Sequence, residues 1–167
     1  LLCERDTPTP AVAAEILRRR AAGGVTITAG GDPPEYNGMT FAADWGGPAL
    51  PRTVREIRDR ANALLVGPRV EDLPSSDAEA RGLIERIDPR DAYLERLRSL
   101  VRLDTIREAR LKVVVDPFYG SAPGYLDALL DEAGCEVQVL HNWRDPRFGD
   151  RSPRPTGDRL AELAFQV

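Results

Sequence analysis

The chain has 167 residues, a formal net charge of −4, 42% apolar residues and 30% charged residues. This composition is typical of a globular protein with room for one substantial core or two small ones. It contains neither the apolar run of roughly 20 residues that a membrane helix needs nor the basic stripe of a nucleic-acid binder, so we expect neither partner.

The cysteine and histidine content limits the chemistry further. Cys3 and Cys135 form no CxxC pair, which favours buried, reduced thiols in a cytoplasmic protein. His141 is the only histidine, and this excludes a metal site built from several histidines.

The first part of the chain predicts a short N-terminal strand next to Cys3, a helix, a second strand and a second helix. Thr9-Pro10 indicates a helix start with Thr9 as the N-cap, and Gly23-Gly24 indicates its end. A short β-branched strand at 25–28 leads into a loop at 29–34, and an amphipathic pattern predicts a helix over 52–65.

The second part predicts a βαβ unit. A loop at 67–78 and a helical stretch at 91–110 precede a buried strand at 111–116, a helix at 125–133 and a strand at 136–140. A helix is predicted from about residue 158 to the end. We therefore expect an α/β fold of two three-layer α/β/α units with mainly parallel sheets, each incomplete. Residues 1–75 and 111–167 would form the units, and residues 76–110 a helical linker.

Several segments resemble the phosphohexose mutase family, which includes phosphoglucomutase and phosphomannomutase. In the first half, 7–10 and 27–38 are similar to the family's first-domain loop, Thr-Ala-Ser-His-Asn-Pro continuing into Tyr-Asn-Gly. In the second half, 113–120, 145–149 and 151–156 resemble the opening of the second domain. The matches follow one another in family order along nearly the whole chain.

The resemblance implies an activity, a substrate and a cofactor. Such mutases move a phosphoryl group between the 1- and 6-positions of a hexose phosphate by way of a covalent phosphoserine. A Mg²⁺ ion held by aspartates of the second domain sits on that phosphate. The chain ends at Val167, before the place of the aspartate-rich loop, so we expect no strong Mg²⁺ binding here.

The sequence departs from the family pattern at the reacting positions. Gly30 stands at the phosphoserine position, Gly31 at the neighbouring histidine position and Asp32 at the asparagine position. Asp32 and Asn37 are the candidate substrate-binding residues. Two interpretations stay open for the loop, an anion-binding nest of backbone N–H groups or a plain glycine turn. Asn37 with Gly38 is likewise either a cleft residue or part of a turn.

These departures predict a family member that is inactive by itself. The alternative is a non-catalytic phosphosugar-binding or protein-interaction module derived from the family. Exposed sheet edges predict self-association. Asp116 ends a strand where α/β proteins bind ligands, although no GxGxxG follows, and the Arg-rich loop at 142–155 is interpreted as a domain-packing loop.

Overall fold

A computed structural model of the chain describes residues 1–67 and 72–167. Within these residues the elements are β1 (Leu2–Cys3), α1 (Thr9–Arg19), β2 (Gly23–Ile27), β3 (Met39–Ala43), α2 (Pro51–Val66), α3 (Ser75–Ala80), β4 (Arg86–Ile87), α4 (Arg90–Leu100), α5 (Leu103–Ala109), β5 (Lys112–Val115), α6 (Leu126–Glu132), β6 (Glu136–Val139) and α7 (Ala161–Gln166). The predicted α/β class is confirmed. No described helix is both long and apolar enough to span a bilayer. Part of the predicted loop at 67–78 lies outside the described residues.

The first sheet is an antiparallel hairpin of β2 and β3, whose register places Val25 opposite Phe41 and Ile27 opposite Met39. Helix α1 covers one face of it, with Val12 and Ile16 over Gly24. The predicted N-cap is wrong by one position, since the cap is Pro8 and Thr9 is already helical. The predicted helix end is also wrong. Arg20 adopts the left-handed conformation that ends α1, and the glycines begin β2.

The other two sheets are parallel pairs. β5 and β6 pair in register from Lys112 with Glu136 to Val115 with Val139, as the predicted βαβ unit requires. β1 pairs with β4, a strand the sequence did not predict because two residues show no periodicity. The stretch predicted to be helical at 91–110 forms two helices, because Val101 takes an extended conformation between them.

A core cluster joins the two halves of the chain. Ala11 of α1 is fully buried and Leu94 of α4 is 3% exposed, and both pack with Tyr125 and Leu129 at α6. The residues of this cluster come from the segment before β2, from the predicted linker and from the βαβ unit. The domain boundaries at 75 and 110 stay predictions, while the contacts show that the three segments share apolar burial.

Other apolar side chains lie exposed. Helix α2 buries no residue, and Leu65 is 83% exposed. On the hairpin, Val25, Ile27 and Met39 are each more than half exposed, and they occupy the face opposite α1. An exposed apolar face of this kind favours association.

Two Leu→Ala substitutions test where the stability lies. Leu94→Ala removes core contacts and should lower the free energy of unfolding by about 2–5 kcal/mol. Leu65→Ala should change it by less than about 0.5 kcal/mol, because that side chain is exposed. Urea denaturation followed by circular dichroism measures both. Equal midpoints for the two variants would contradict the assignment of this core.

Candidate functional site

The loop between β2 and β3 carries the predicted site residues. Thr28 N–H donates to the Gly38 carbonyl at 2.9 Å, which closes the loop at its base. Gly30 is exposed at its tip, with a φ of +64°, and its N–H donates to the Thr28 hydroxyl oxygen at 2.9 Å. A Cβ at Gly30 would meet nothing within 4 Å. Position 30 therefore faces open space in a conformation that suits glycine.

Gly31 and Asp32 contact the Arg-rich loop of the second half. The Ser152 hydroxyl donates to the Gly31 carbonyl at 2.5 Å, and Arg154 Nε donates to the same oxygen at 3.2 Å. Arg154 Nη2 also donates to Asp32 Oδ1 at 2.8 Å. A Cβ on Gly31 would lie 3.3 Å from Arg154 Nε, so the arginine fills the space beside position 31. This contact agrees with the interpretation of 142–155 as a packing loop.

Asn37 is exposed at the other side of the loop. Its Oδ1 accepts a hydrogen bond from Gly38 N–H at 2.9 Å, an interaction of the kind that turn asparagines make. The structure thus gives Asn37 a local turn contact, and a role in binding substrate stays a prediction. The same holds for Asp32, whose carboxylate is already engaged by Arg154.

The loop offers limited chemistry. Gly30 has no side-chain oxygen, and the Thr28 hydroxyl oxygen already accepts a hydrogen bond from the backbone. Mg²⁺ requires several oxygen ligands, and Asp32 is paired with a guanidinium. Across 1–67 and 72–167, no three His, Cys, Asp or Glu side chains come together in a group that could hold a metal. The described residues around this loop do not fit the metal that the family implies.

A second polar group lies at the carboxyl ends of β5 and β6. The Asp116 side chain is 1% exposed, and both of its oxygens lie 3.0 Å from His141 Nδ1. Because a carboxylate only accepts hydrogen bonds, Nδ1 carries the hydrogen. Nε2 faces Glu162 Oε2 at 3.4 Å. The Tyr119 ring packs against His141 with the ring centroids 4.6 Å apart, and burial raises the pKa of the Tyr119 hydroxyl.

Sequence reasoning missed the contact of Arg154 and Ser152 with Gly31, and it missed the pairing of Asp116 with His141. Arg154 and Ser152 lie more than 120 positions from Gly31, and nothing local indicates their partners. The pairing of Asp116 with His141 had a usable signal. The two residues follow neighbouring parallel strands by one and two positions, and the carboxyl ends of such strands meet at one edge.

Two glycines provide a matched test of the loop's backbone. A Cβ would meet nothing within 4 Å at either Gly30 or Gly157, but only Gly30 has a positive φ. Gly30→Ala should therefore lower the free energy of unfolding by about 1–2 kcal/mol, and Gly157→Ala should leave it unchanged or slightly raised. Chemical denaturation measures both values. An unchanged midpoint for Gly30→Ala would show that the loop does not hold this conformation.

Comparison with known proteins identifies the family to which the chain is similar. Residues 2–65 match the family model for phosphoglucomutase/phosphomannomutase, alpha/beta/alpha domain I, and residues 91–167 match the model for domain II. A phosphoglucomutase/phosphomannomutase of Thermococcus kodakarensis is 31% identical over 153 residues, which are 92% of this chain and 32% of that protein. A phosphoglucomutase of Komagataeibacter xylinus is 30% identical over 150 residues, covering 85% of this chain and 27% of that protein.

A solved structure has a similar fold. A phosphoglucomutase of Paramecium, pp63/parafusin, superposes with a TM-score of 0.71 at 17% identity, over 98% of this chain and 35% of that one, which supports the fold. The chain spans about a third of the length of the relatives it matches. The two family models lie in order along most of its residues, and the chain therefore belongs to the phosphoglucomutase/phosphomannomutase family.

Proposed function

We propose that this chain provides the loop-bearing part of the first domain and the opening of the second domain of a hexose-phosphate mutase, and that it transfers no phosphoryl group by itself. The absence of phosphoryl transfer is inferred from Gly30. It is exposed at the tip of the loop, has no hydroxyl, and has no neighbouring side chain within 4 Å of its Cβ position to take over. A covalent phosphoryl carrier is therefore lacking at this point.

The rate lost when a nucleophile is removed is large enough to argue against residual mutase turnover. Removing the nucleophile of a serine enzyme costs on the order of 10⁶-fold in rate, equivalent to about 8 kcal/mol of barrier. Hydrogen bonds elsewhere in the loop cannot replace a group that must form a covalent bond. Mg²⁺ remains part of the proposal for a complete mutase only, because the described residues do not fit it.

Hexose phosphates are the proposed substrate class of the complete protein. A second function, binding of a phosphosugar without turnover, is supported by one contact of the loop. Arg154 pairs with Asp32 at 2.8 Å and offsets the negative charge that would repel a phosphate. Both groups are more than half exposed, so the offset is modest. A cytoplasmic location is proposed as well, supported by the free thiols of Cys3 and Cys135.

A coupled assay tests the absence of turnover. The chain is supplied with glucose 1-phosphate, glucose 1,6-bisphosphate and Mg²⁺, and glucose 6-phosphate is detected through its dehydrogenase. We expect less than about 1 s⁻¹, the low end of ordinary enzymes, for the chain and also for Gly30→Ser, whose hydroxyl would sit on a strained backbone. A complete mutase serves as the positive control. Turnover above that rate in the unaltered chain would refute the proposal.

Self-association belongs to the same proposal. The hairpin exposes Val25, Ile27 and Met39 on one face, and β2 pairs with no strand besides β3 among the described residues, so its outer edge is open. We expect sedimentation velocity to show a species larger than the monomer, in an amount that rises with concentration. Ile27→Lys should shift the distribution towards monomer, whereas Asp44→Lys, which adds the same residue outside that face, should not. A monomer at every concentration would contradict this expectation.

A further inference from the structure

The outer edge of β2 carries backbone groups that no other described strand pairs with. Along an antiparallel strand, successive residues point their N–H and C=O groups alternately towards the neighbouring strand and away from it. Just after β2, Thr28 N–H donates to the Gly38 carbonyl at 2.9 Å, so the even-numbered residues of β2 face β3. The backbone groups of Gly23, Val25 and Ile27 therefore point to the open edge.

The outer edge of β3, on the other side of the hairpin, is partly covered. Ala43 N–H donates to the Gly47 carbonyl at 2.8 Å, and Ala49 N–H donates to the Phe41 carbonyl at 2.8 Å. The segment after β3 thus turns back along that strand and pairs with its second half. Among the described residues, β2 is the strand of this hairpin whose outer edge stays open along its whole length.

The sequence of β2 lacks the features that keep strand edges from pairing with other chains. Natural edge strands are protected by charged side chains, by proline or by bulges. Strand β2 is Gly-Gly-Val-Thr-Ile, which has neither a charge nor a proline. Strands β5 and β6, by contrast, begin with the charged residues Lys112 and Glu136. Val25 and Ile27 are 60% and 72% exposed, so this edge is accessible to another strand.

We propose that β2 of one copy of the chain pairs antiparallel with β2 of a second copy, around a two-fold axis at Val25. The proposal rests on the self-association proposed above and assigns it to one strand edge. Val25 faces Val25 of the second copy, and Gly23 faces its Ile27. This register uses every outward-pointing residue of β2 and forms roughly six backbone hydrogen bonds, two for each pair. A shift by two residues in either direction leaves one outward-pointing residue of each β2 without a strand partner.

The side chains of β2 suit a second copy of the same strand. Residues that face each other across antiparallel strands lie on one face of the sheet, where β-branched pairs are favourable. Val25 packs on its own copy, and Ile27 lies beside Gly23, which has no side chain to obstruct it. A Cβ at Gly23 would come within 2.7 Å of a backbone oxygen of β3, so this position suits only glycine. On the opposite face, where α1 lies over Gly24, the strand has only Gly24 and Thr26, which leave room for the helix.

Cysteine cross-linking tests this register. Val25→Cys and Ile27→Cys are each made in a Cys3→Ser background, which leaves the buried Cys135 as the only other thiol. Across a hydrogen-bonded pair the two Cα atoms of position 25 would lie about 5.5 Å apart, within the range of a disulfide. The two Cα atoms of position 27 would lie about 14 Å apart, which is too far. Met39→Cys, on the same exposed face of the hairpin, is the control for contact between two such faces.

The purified variants are oxidised with copper phenanthroline at several protein concentrations and resolved by non-reducing electrophoresis, after circular dichroism has shown that each is folded. We expect the covalent dimer to form at least about tenfold faster for Val25→Cys than for the other two variants. Equal rates in all three, or a faster rate for Ile27→Cys or Met39→Cys, would overturn the pairing of β2 with its copy. Self-association would still stand if sedimentation showed it. A monomer at every concentration would overturn both, and the assay for phosphoryl transfer would be unaffected.

Discussion

The fold depends on apolar burial that joins three separate segments of the chain. Ala11 fits against Leu94, Tyr125 and Leu129 with no exposed surface, so α1 cannot move away without exposing α4 and α6. A larger side chain at Ala11 would overfill this contact. Since α1 also packs on β2, the same contact fixes the hairpin and its loop relative to the βαβ unit.

The contact between the Gly30 loop and the Arg-rich loop follows from this arrangement. Arg154 makes hydrogen bonds to the Gly31 carbonyl and to Asp32, and Arg144 pairs with Asp6 at 2.9 Å. Surface pairs of this kind contribute little stability by themselves. They form because the buried core has already brought the two segments together, and they then restrict where the loop lies.

The sequence predicted the elements with strong local signals and the family they belong to. The buried strand at 112–115 and the helix after it are marked by runs and caps that need no distant partner. The two-residue strand β4 has no such pattern and forms only by pairing with β1. Gly30 to Asp32 could be recognised as a site by resemblance, whereas the role of Arg154 beside Gly31 depends on a contact 123 positions away.

The Gly30 loop and the carboxyl ends of β5 and β6 differ in the polar groups that they contain. At the Gly30 loop, position 30 has no group that could carry a phosphoryl, and the guanidinium of Arg154 beside it is bound to Asp32. At the carboxyl ends of β5 and β6 the opposite holds. There a buried carboxylate orients the sole histidine, and the Tyr119 ring packs against it with the ring centroids 4.6 Å apart. The positive φ of Tyr119 belongs to the turn that Gly120 N–H closes on the Pro117 carbonyl at 2.9 Å. Tyr119 N–H also donates to the His141 carbonyl at 3.1 Å, so this turn and the paired Asp116 and His141 hold one another at the edge of the sheet.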